Sequence, residues 1–285
     1  MLIYPAPMEG VFSREFVKTV NALNLAPRWM TPFMRVSSAL PRKKIVKSFL
    51  SPYLASGKPV AGQVLGDKPE LISQLALLMA DAGVSEVNLN AACPSRRVVN
   101  HSGGGDLLRH PDLICRIICA MRAMLPDDIV VSVKMRSGFE SFEPELYRRI
   151  SDTPVNRVYL HYRTVKEGYA AVPDRGKRFE EARKLLRDDI ALIVNGDISS
   201  AAEARHLAAS IPASGVMIGR PWLHNPGLLC EIAGETAPYS DAEEARERFF
   251  DELVSHGVNG GNKIELAKLI FGSIRRCKQN DCAKM

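Results

Sequence analysis

Several features that would place this protein in a special class are absent from its sequence. The six cysteines, at positions 93, 115, 119, 230, 277 and 282, include no C-x-x-C pair, so neither a zinc site nor a disulfide framework is indicated. No apolar run approaches the ~18 residues of a membrane span, and no charged-then-apolar secretion signal opens the chain. We therefore expect a cytoplasmic protein with no metal and no membrane partner.

Other absences limit the fold. No internal repeat or low-complexity segment stands out, and no G-x-G-x-x-G follows the first strand-like run. Hydrophobic residues make up 46% of the 285 residues, which allows a sizeable core and argues against disorder. The 38 Lys and Arg exceed the 32 Asp and Glu by 6. This excess suits a polyanionic partner, but an ordinary solvated surface gives the same balance.

Strand-like and helix-like segments alternate along most of the chain. The predicted strands are 2–6, 29–36, 59–65, 84–89, 129–135, 157–161, 190–194 and 215–218. The predicted helices are 13–24, 70–82, 111–124, 143–150, 178–186 and 201–209, with serine caps before the first and the last. Cys115 and Cys119, four residues apart on one helix, are interpreted as small core-facing residues.

Eight strand–helix repeats predict an α/β fold, a (β/α)8 barrel, with a doubly wound open sheet as the rival. After the last strand the pattern changes to two amphipathic helices, 241–256 and 264–278, separated by a turn rich in Gly and Asn. We therefore divide the chain into a barrel domain, 1–235, and a short helical tail, 236–285.

Polar residues follow strand after strand of this pattern. In such a barrel the carboxyl ends of all strands meet at one mouth, where catalytic groups lie. Each residue alone has a simpler interpretation, as a core histidine, a turn dipeptide or a surface charge, so the argument rests on their convergence. The set comprises Glu9, Thr31, Arg35, Gln63, Asn90, Cys93, Lys134, His161, Asn195, Gly196, Asp197, Gly219 and Arg220.

These residue types suit a flavin mononucleotide. Glycines after the seventh and eighth strands can let backbone N–H groups surround a phosphate, and Arg220 can add charge. Lys134 can lie beside the ring edge where reduction builds negative charge, and Gln63 can form hydrogen bonds with the ring. The turn at residues 6–8 can place apolar surface against one ring face.

Cys93 lies just beyond the fourth predicted strand. Pro94 cannot continue a strand ladder, so a loop begins there. The glycine run 103–105 follows, a run that a tight turn or a close approach to a ligand would require. A single cysteine is more often a small buried hydrophobe, so the loop sequence around it decides its interpretation.

The pattern Asn90-x-x-Cys93-Pro94-Ser95, followed by the glycine run, resembles the catalytic loop of the tRNA-dihydrouridine synthases. It is most similar to the bacterial C-type branch, and the resemblance extends to about residue 235. It implies an FMN- and NADPH-dependent oxidoreductase that reduces a uridine of the tRNA D-loop, at position 16, to 5,6-dihydrouridine. It also implies that Cys93 is the catalytic acid.

The resemblance further implies two sets of binding residues and a partner. The flavin contacts are Pro7, Met8, Glu9, Gln63, Lys134, His161, Asn195, Gly196, Asp197, Gly219 and Arg220. The RNA contacts are Arg35, Asn90 and Tyr169, with Lys268, Arg275 and Arg276 on the last predicted helix. The expected partner is tRNA, bound by a monomer.

The chain departs from the family pattern at three positions and in the length of its tail. Pro32 stands where the family often has Glu, Asn88 where it has Asp and Ala92 where it has Gly. The tail is short for the family's RNA-binding helical bundle. Two alternatives therefore stay open: a small-molecule flavin reductase on the same barrel, and a non-catalytic RNA-binding relative.

Overall fold

A computed structural model describes residues 1–8, 10–95, 98, 103–235 and 239–256. Within them, eight strands alternate with helices as predicted. The strands are β1 (Leu2–Pro5), β2 (Trp29–Arg35), β3 (Val60–Leu65), β4 (Glu86–Ala91), β5 (Val130–Arg136), β6 (Arg157–His161), β7 (Ala191–Asn195) and β8 (Gly215–Ile218). The helices are α1 (Arg14–Ala22), α2 (Lys43–Leu54), α3 (Pro69–Ala80), α4 (Pro111–Met124), α5 (Pro144–Ser151), α6 (Arg175–Leu185), α7 (Ala201–Ser210), α8 (Arg220–His224), α9 (Leu228–Ala233) and α10 (Ala242–Ser255). A 3-10 helix, Gly104–Arg109, precedes α4.

The strands form a (β/α)8 barrel. All pairs are parallel and follow chain order from β2 to β8, while β1 pairs with β8. Contacts between β1 and β2 complete the ring. The predicted barrel is confirmed, and the carboxyl ends of its strands therefore share one face.

The period of two along each strand separates the two faces of the sheet. Val87 and Leu89 of β4 and Val131 of β5 join the main core between the sheet and the surrounding helices. In each strand, the residues that alternate with these core residues point into the barrel. There Met30 and Met217 contribute to a second, smaller apolar cluster. The barrel is thus packed by side chains on both faces of its sheet.

Helix starts follow the capping rules where a capping side chain is present. The Ser13 hydroxyl accepts a hydrogen bond from Phe16 N at 3.2 Å, and the Ser200 hydroxyl accepts one from Glu203 N at 3.1 Å. The sequence-based prediction missed α2 altogether. This helix has no side-chain cap, no acidic residue in its first turn and a proline, Pro52, in its last turn, so the usual signals are lacking.

The interpretation of Cys119 as a core residue is wrong. The core-facing side of α4 consists of Ile114, Ile117, Ile118 and Met121. Positions one residue later on the helix lie about 100° around it, away from that stripe. Cys119 is accordingly exposed, and its neighbour in the pattern, Cys115, is only partly buried.

Helix α10, which begins the predicted tail, packs against the barrel. The Phe249 ring lies 5.3 Å from the Phe16 ring of α1, and Asp241 caps the helix through the backbone N–H groups of residues 243 and 244. The second predicted tail helix, with Lys268, Arg275 and Arg276, lies outside the described residues, as does Glu9. None of the helices in the described part of the chain is long and apolar enough to cross a membrane.

Candidate active site

A cavity of about 480 Å³ opens at the carboxyl ends of the strands. Thirteen of the predicted site residues line it: Pro7, Met8, Gln63, Asn90, Cys93, Lys134, His161, Tyr169, Asn195, Gly196, Asp197, Gly219 and Arg220. Arg35 is exposed at the end of β2 and is not part of this lining. The structure thus brings together residues from seven different strand ends, although they are spread over more than 200 positions of sequence.

Strand β2 bends where it enters the cavity wall. Pro32 has no N–H group for the ladder, and the pairing with β3 shifts between Met30 and Phe33. In this irregular stretch the Thr31 hydroxyl accepts a hydrogen bond from Gln63 N at 3.0 Å. Pro32 and Phe33 then line the cavity, which the sequence analysis did not predict.

Lys134 places an amine inside the cavity. Burial, and to a lesser extent the charge of Arg136, lower the pKa of Lys134 to about 8, while Cys93 opposes the shift. None of the carboxylates among the described residues pairs with Lys134. An amine that is partly buried without an anion provides a place for negative charge on a bound group.

His161 is a neutral hydrogen-bond donor in the cavity. Burial and the nearby cations Arg136 and Lys134 lower the pKa of His161 to about 2. Its Nδ1 atom accepts a hydrogen bond from Arg163 N at 3.2 Å, so the ring proton lies on Nε2. The ring stacks on Tyr162, with centroids 5.5 Å apart.

The turn after β7 holds an acidic group between cations. Gly196 has a φ of +116°, and a Cβ atom there would lie 2.7 Å from the Tyr162 ring, so only glycine fits. Asp197 accepts hydrogen bonds from the Arg163 guanidinium and from the Tyr162 hydroxyl. The Arg163 interaction chiefly lowers the pKa of Asp197 to about 2. Arg220 lies 3.8 Å from the second carboxylate oxygen.

Arg136 is a site residue that the sequence analysis missed. The residue is 2% exposed, and its guanidinium donates to the carbonyls of Ala92, Thr164 and Gly168 at 2.8–3.0 Å. It therefore ties the Cys93 loop to the loop that carries Tyr169. The alternation Ser-x-Lys-x-Arg along β5, which puts Arg136 on the same face as Lys134, is the signal that could have identified it.

Tyr169 lies at the rim of the cavity between two cations. The residue is 62% exposed, and the guanidinium carbons of Arg136 and Arg220 lie 5.4 and 4.9 Å from the centroid of its ring. An exposed aromatic ring flanked by cations can stack on a base while the charges meet phosphate.

The glycine run packs against the Cys93 loop itself. Gly105 N donates to Cys93 O at 2.9 Å, and a Cβ atom on Gly105 would lie 3.0 Å from that oxygen and 2.8 Å from Val165. Gly104 has a φ of +58°, and a Cβ atom there would lie 3.0 Å from the Cys93 Cβ. The glycines therefore allow the backbone at residues 104–105 to pack directly against the backbone of the Cys93 loop, which restricts the position of that loop.

The polar and apolar groups that line the cavity fit a flavin. It combines a partly buried amine, a neutral imidazole N–H, the side-chain amides of Gln63 and Asn195, and the apolar Pro7 and Met8 on one wall. On the same side, at the end of the neighbouring strand β8, Gly219 is open, since the nearest atom to a Cβ there would be Ala6 Cβ at 3.7 Å. A ring system that carries hydrogen-bonding edges, apolar faces and a charged tail matches these three kinds of surface. The described residues contain no cluster of metal ligands.

Comparison with known proteins identifies a family whose members use a flavin. The sequence model of the family described as "Dihydrouridine synthase (Dus)" matches residues 4–269. The chain belongs to the dihydrouridine synthase family. It is accordingly a flavin-dependent oxidoreductase, and the similarity covers nearly its whole length.

Several relatives in this family carry the name tRNA-dihydrouridine(16) synthase. The chain is 30% identical to the Haemophilus influenzae protein over 87% of this chain and 83% of the relative. It is 35% identical to the Salmonella typhimurium protein over 80% and 75%, and 33% identical to the Yersinia pestis protein over 97% and 90%. These similarities support the C-type branch of the dihydrouridine synthases.

Solved structures with low sequence identity share the barrel. The crystal structure of TcOYE with pHBA has a TM-score of 0.59 at 13% identity, covering 90% of this chain and 95% of that one. The complex of 2-naphthoyl-CoA reductase with 2-naphthoyl-CoA has a TM-score of 0.63 at 12% identity, covering 93% and 55%. At these identities the likeness concerns the fold alone.

Proposed function

We propose that this protein uses NADPH and FMN to reduce a uridine of the tRNA D-loop, at position 16, to 5,6-dihydrouridine. The observation that carries the proposal is the placement of Cys93 and Lys134 on one cavity whose remaining lining suits a flavin. The names of the relatives at 30–35% identity support the RNA substrate and the position. A cytoplasmic monomer is part of the proposal.

The residues that would hold FMN fall into three groups. Pro7 and Met8, with Glu9 outside the described residues, would cover one face of the ring. Gln63, Lys134 and His161 would meet the polar ring edge, where the amine and the imidazole N–H provide donors. The phosphate end would be held by Asn195, Gly196, Asp197, Gly219 and Arg220. Bound flavin would supply the hydride for C6 of the uracil.

Cys93 would donate the proton to C5 of the same base. A proton donor must keep its proton until the reaction, so the thiol serves as a general acid and not as an activated nucleophile. The half-buried position of Cys93 at the cavity wall, with its backbone held from both sides, suits a group that must be presented in one place. Asn90 would help to hold the Cys93 backbone in that place and would also contact the RNA.

The RNA would reach the cavity as a flipped base. Uridine in a folded tRNA is stacked, so it must be turned out of the stack to meet the ring. Tyr169 and Arg35 would contact the RNA near the barrel, and Lys268, Arg275 and Arg276 in the tail, residues 236–285. NADPH would share the same open mouth, which predicts ping-pong kinetics.

A second candidate is a small-molecule flavin reductase. The exposed Tyr169 ring between Arg136 and Arg220 speaks for RNA, because a stacking ring flanked by cations at an open rim suits a nucleotide chain. An assay with free uridine and with tRNA lacking dihydrouridine separates the two. Turnover of free uridine at the rate of tRNA would favour the small-molecule enzyme.

The direct test has two parts: flavin binding by the purified protein, and dihydrouridine in the tRNA of cells that lack it. The purified protein should bind FMN and give a flavin spectrum, and tRNA from cells that lack the protein should lose dihydrouridine at position 16 alone. Addition of the purified protein, FMN and NADPH should restore it. Unchanged dihydrouridine in those cells would contradict the proposal, whereas loss at another position would correct only the site.

The tail can be tested by salt dependence. If about three or four phosphates are neutralised, log K should fall with log salt at a slope of about −2 to −4. Replacing Arg275 and Arg276 with Glu should weaken tRNA binding broadly. An unchanged affinity would mean that the tail only covers the barrel.

A further inference from the structure

A line of buried polar side chains joins the floor of the barrel to the Cys93 loop. Glu86, Asn88 and Asn90 alternate along β4 and point inward, while Ser132 of β5 and Gln63 of β3 lie between them. None is more than 6% exposed. Only Gln63 and Asn90 line the cavity, so the other three have no role in the function proposed above.

Hydrogen bonds connect these side chains without a break. At the floor, the Ser132 hydroxyl donates to Glu86 Oε1 at 2.6 Å and accepts from Asn88 Nδ2 at 2.8 Å. Asn88 Oδ1 then accepts from Gln63 Nε2 at 2.8 Å, and Gln63 Oε1 accepts from Asn90 Nδ2 at 2.8 Å.

At the top, the Asn90 amide holds the Cys93 loop. Asn90 Oδ1 accepts from the backbone N–H groups of Ala92 and Cys93 at 3.1 and 3.0 Å. This chain of hydrogen bonds therefore runs through five side chains, from the barrel floor to the backbone of Cys93, the proposed catalytic acid.

The direction of every bond in this chain is fixed from both ends. The lower end is Glu86, which pairs with Arg157 and so can only accept. The upper end consists of backbone N–H groups, which can only donate. Each amide between them has one donor end and one acceptor end, so both termini require the same orientation of Asn88, Gln63 and Asn90. Turning any one amide would set donor against donor and acceptor against acceptor.

We propose that Glu86, Ser132 and Asn88 are positioning residues that fix the amide orientations of Gln63 and Asn90 and, through Asn90, the backbone of the Cys93 loop. Gln63 then presents its remaining oxygen lone pair, and not an N–H group, to a bound ring, because its Nε2 is occupied by Asn88 and by Met30 Sδ at 3.5 Å. The part that concerns FMN rests on the proposed function, whereas the part that concerns Cys93 does not.

Two substitutions of Asn88 separate positioning from stability. Asn88→Asp keeps an acceptor for Gln63 Nε2, so it preserves the orientation of Gln63, but it adds a carboxyl group that competes with Glu86 for the single Ser132 hydrogen. Asn88→Leu removes the acceptor and the donor together. Both should lower the urea midpoint of the apoprotein, since each disturbs a buried network. Only the Leu variant should lose FMN affinity, by roughly tenfold.

The first measurement is therefore FMN affinity, set beside the urea midpoint, for wild type and both variants. Rescue of FMN binding in Asn88→Asp, despite its lower stability, is the expected result. Equal loss of FMN affinity in both variants, or wild-type affinity in Asn88→Leu, would overturn the proposal.

The second measurement needs no flavin. In the apoprotein, the rate of alkylation of Cys93 by iodoacetamide, read from its own peptide by mass spectrometry, reports on the loop. Asn88→Leu should raise this rate several-fold and Asn88→Asp should not. If Asn88→Leu does not fold, Ser132→Ala replaces it. The control is Ser73→Ala, because Ser73 is similarly buried but its hydroxyl, among the described residues, donates to Glu70 O within α3 and not to the buried chain. A rate in Ser132→Ala no higher than in Ser73→Ala would overturn the proposal. Failure of the wild-type protein to bind FMN would instead contradict the proposed function.

Discussion

The two halves of the barrel interior are packed in different ways. Strands β1, β2, β7 and β8 contribute most of an apolar cluster, including Ile193 and Met217, that is held mainly by non-directional packing. Ala61 of β3 and Tyr159 of β6 complete this cluster. Strands β3, β4 and β5 contribute the hydrogen-bonded chain that includes Gln63 and Asn88. An apolar half needs only volume and shape, whereas a polar half needs every partner in place. The difference predicts that single substitutions cost more stability in the polar half than in the apolar half.

Removal of the floor carboxylate should give the largest loss of stability. Glu86 accepts hydrogen bonds from Arg157, Tyr4, Tyr159 and Ser132. Glu86→Ala would leave a largely buried guanidinium without an anion, which costs about 3–5 kcal/mol of unfolding free energy. Urea denaturation of the apoprotein measures it, with Glu86→Gln as the matched variant that keeps part of the hydrogen bonding. A loss in Glu86→Ala below about 1 kcal/mol would mean that the polar half packs like the apolar one.

The amine of Lys134 should make stability depend on pH. Its pKa is about 8 in the folded protein against 10.5 in the unfolded chain, so between these values the unfolded state binds more protons and stability rises with pH. Relative to Lys134→Met, the wild-type apoprotein should gain up to about 3 kcal/mol from pH 7.5 to 10.5. Other titrating groups are shared by both proteins and cancel in the difference. Parallel pH profiles in urea denaturation would show that Lys134 is better solvated than its position indicates.

A pair of similarly shaped substitutions compares the two halves directly. Gln63→Met leaves Asn88 Oδ1 and Asn90 Nδ2 without partners, and each such group costs roughly 1–3 kcal/mol. Met217→Leu changes shape little within the apolar cluster and should cost under about 1.5 kcal/mol. The urea midpoints of the two apoproteins give the comparison. Equal losses would remove the distinction between the halves.

The smallest effect is expected from an ion pair outside the barrel. Lys43 and Asp81 lie 3.2 Å apart with side chains 56% and 45% exposed, so water screens them. Lys43→Ala should change the unfolding free energy by less than about 1 kcal/mol. A larger change in the same urea experiment would mean that burial is not what separates this pair from Glu86 and Arg157.

The barrel could be predicted because its signals are local. Apolar runs mark the strands, and Ser13 and Ser200 mark helix starts, as the structure confirms. Helix α2 was missed because its start carries cations in place of a cap and its end carries Pro52. The cavity lining could be predicted because parallel strands bring their carboxyl ends to one face, whatever the intervening loops.

The hydrogen-bonded chain could not be predicted in the same way. It depends on register, since Gln63 is opposite Asn88 and Asn88 is opposite Ser132 only in the folded sheet. The glycine run was predicted as a tight turn or an approach to a ligand. The φ of +58° at Gly104 agrees with a tight turn, and the close approach that the structure shows is to the Cys93 loop. Such non-local contacts leave no pattern along the sequence.

The most direct test of the account is the Cys93→Ala variant, followed in two separate half-reactions. Stopped-flow traces without oxygen would record reduction of the bound flavin by NADPH and then its reoxidation by tRNA. If Cys93 is the proton donor, the first step and tRNA binding should remain near normal, and the second step should slow by ~10²–10⁴. Equal loss in both steps would mean that Cys93 supports the fold or the flavin, and no loss in either would contradict its role as the catalytic acid.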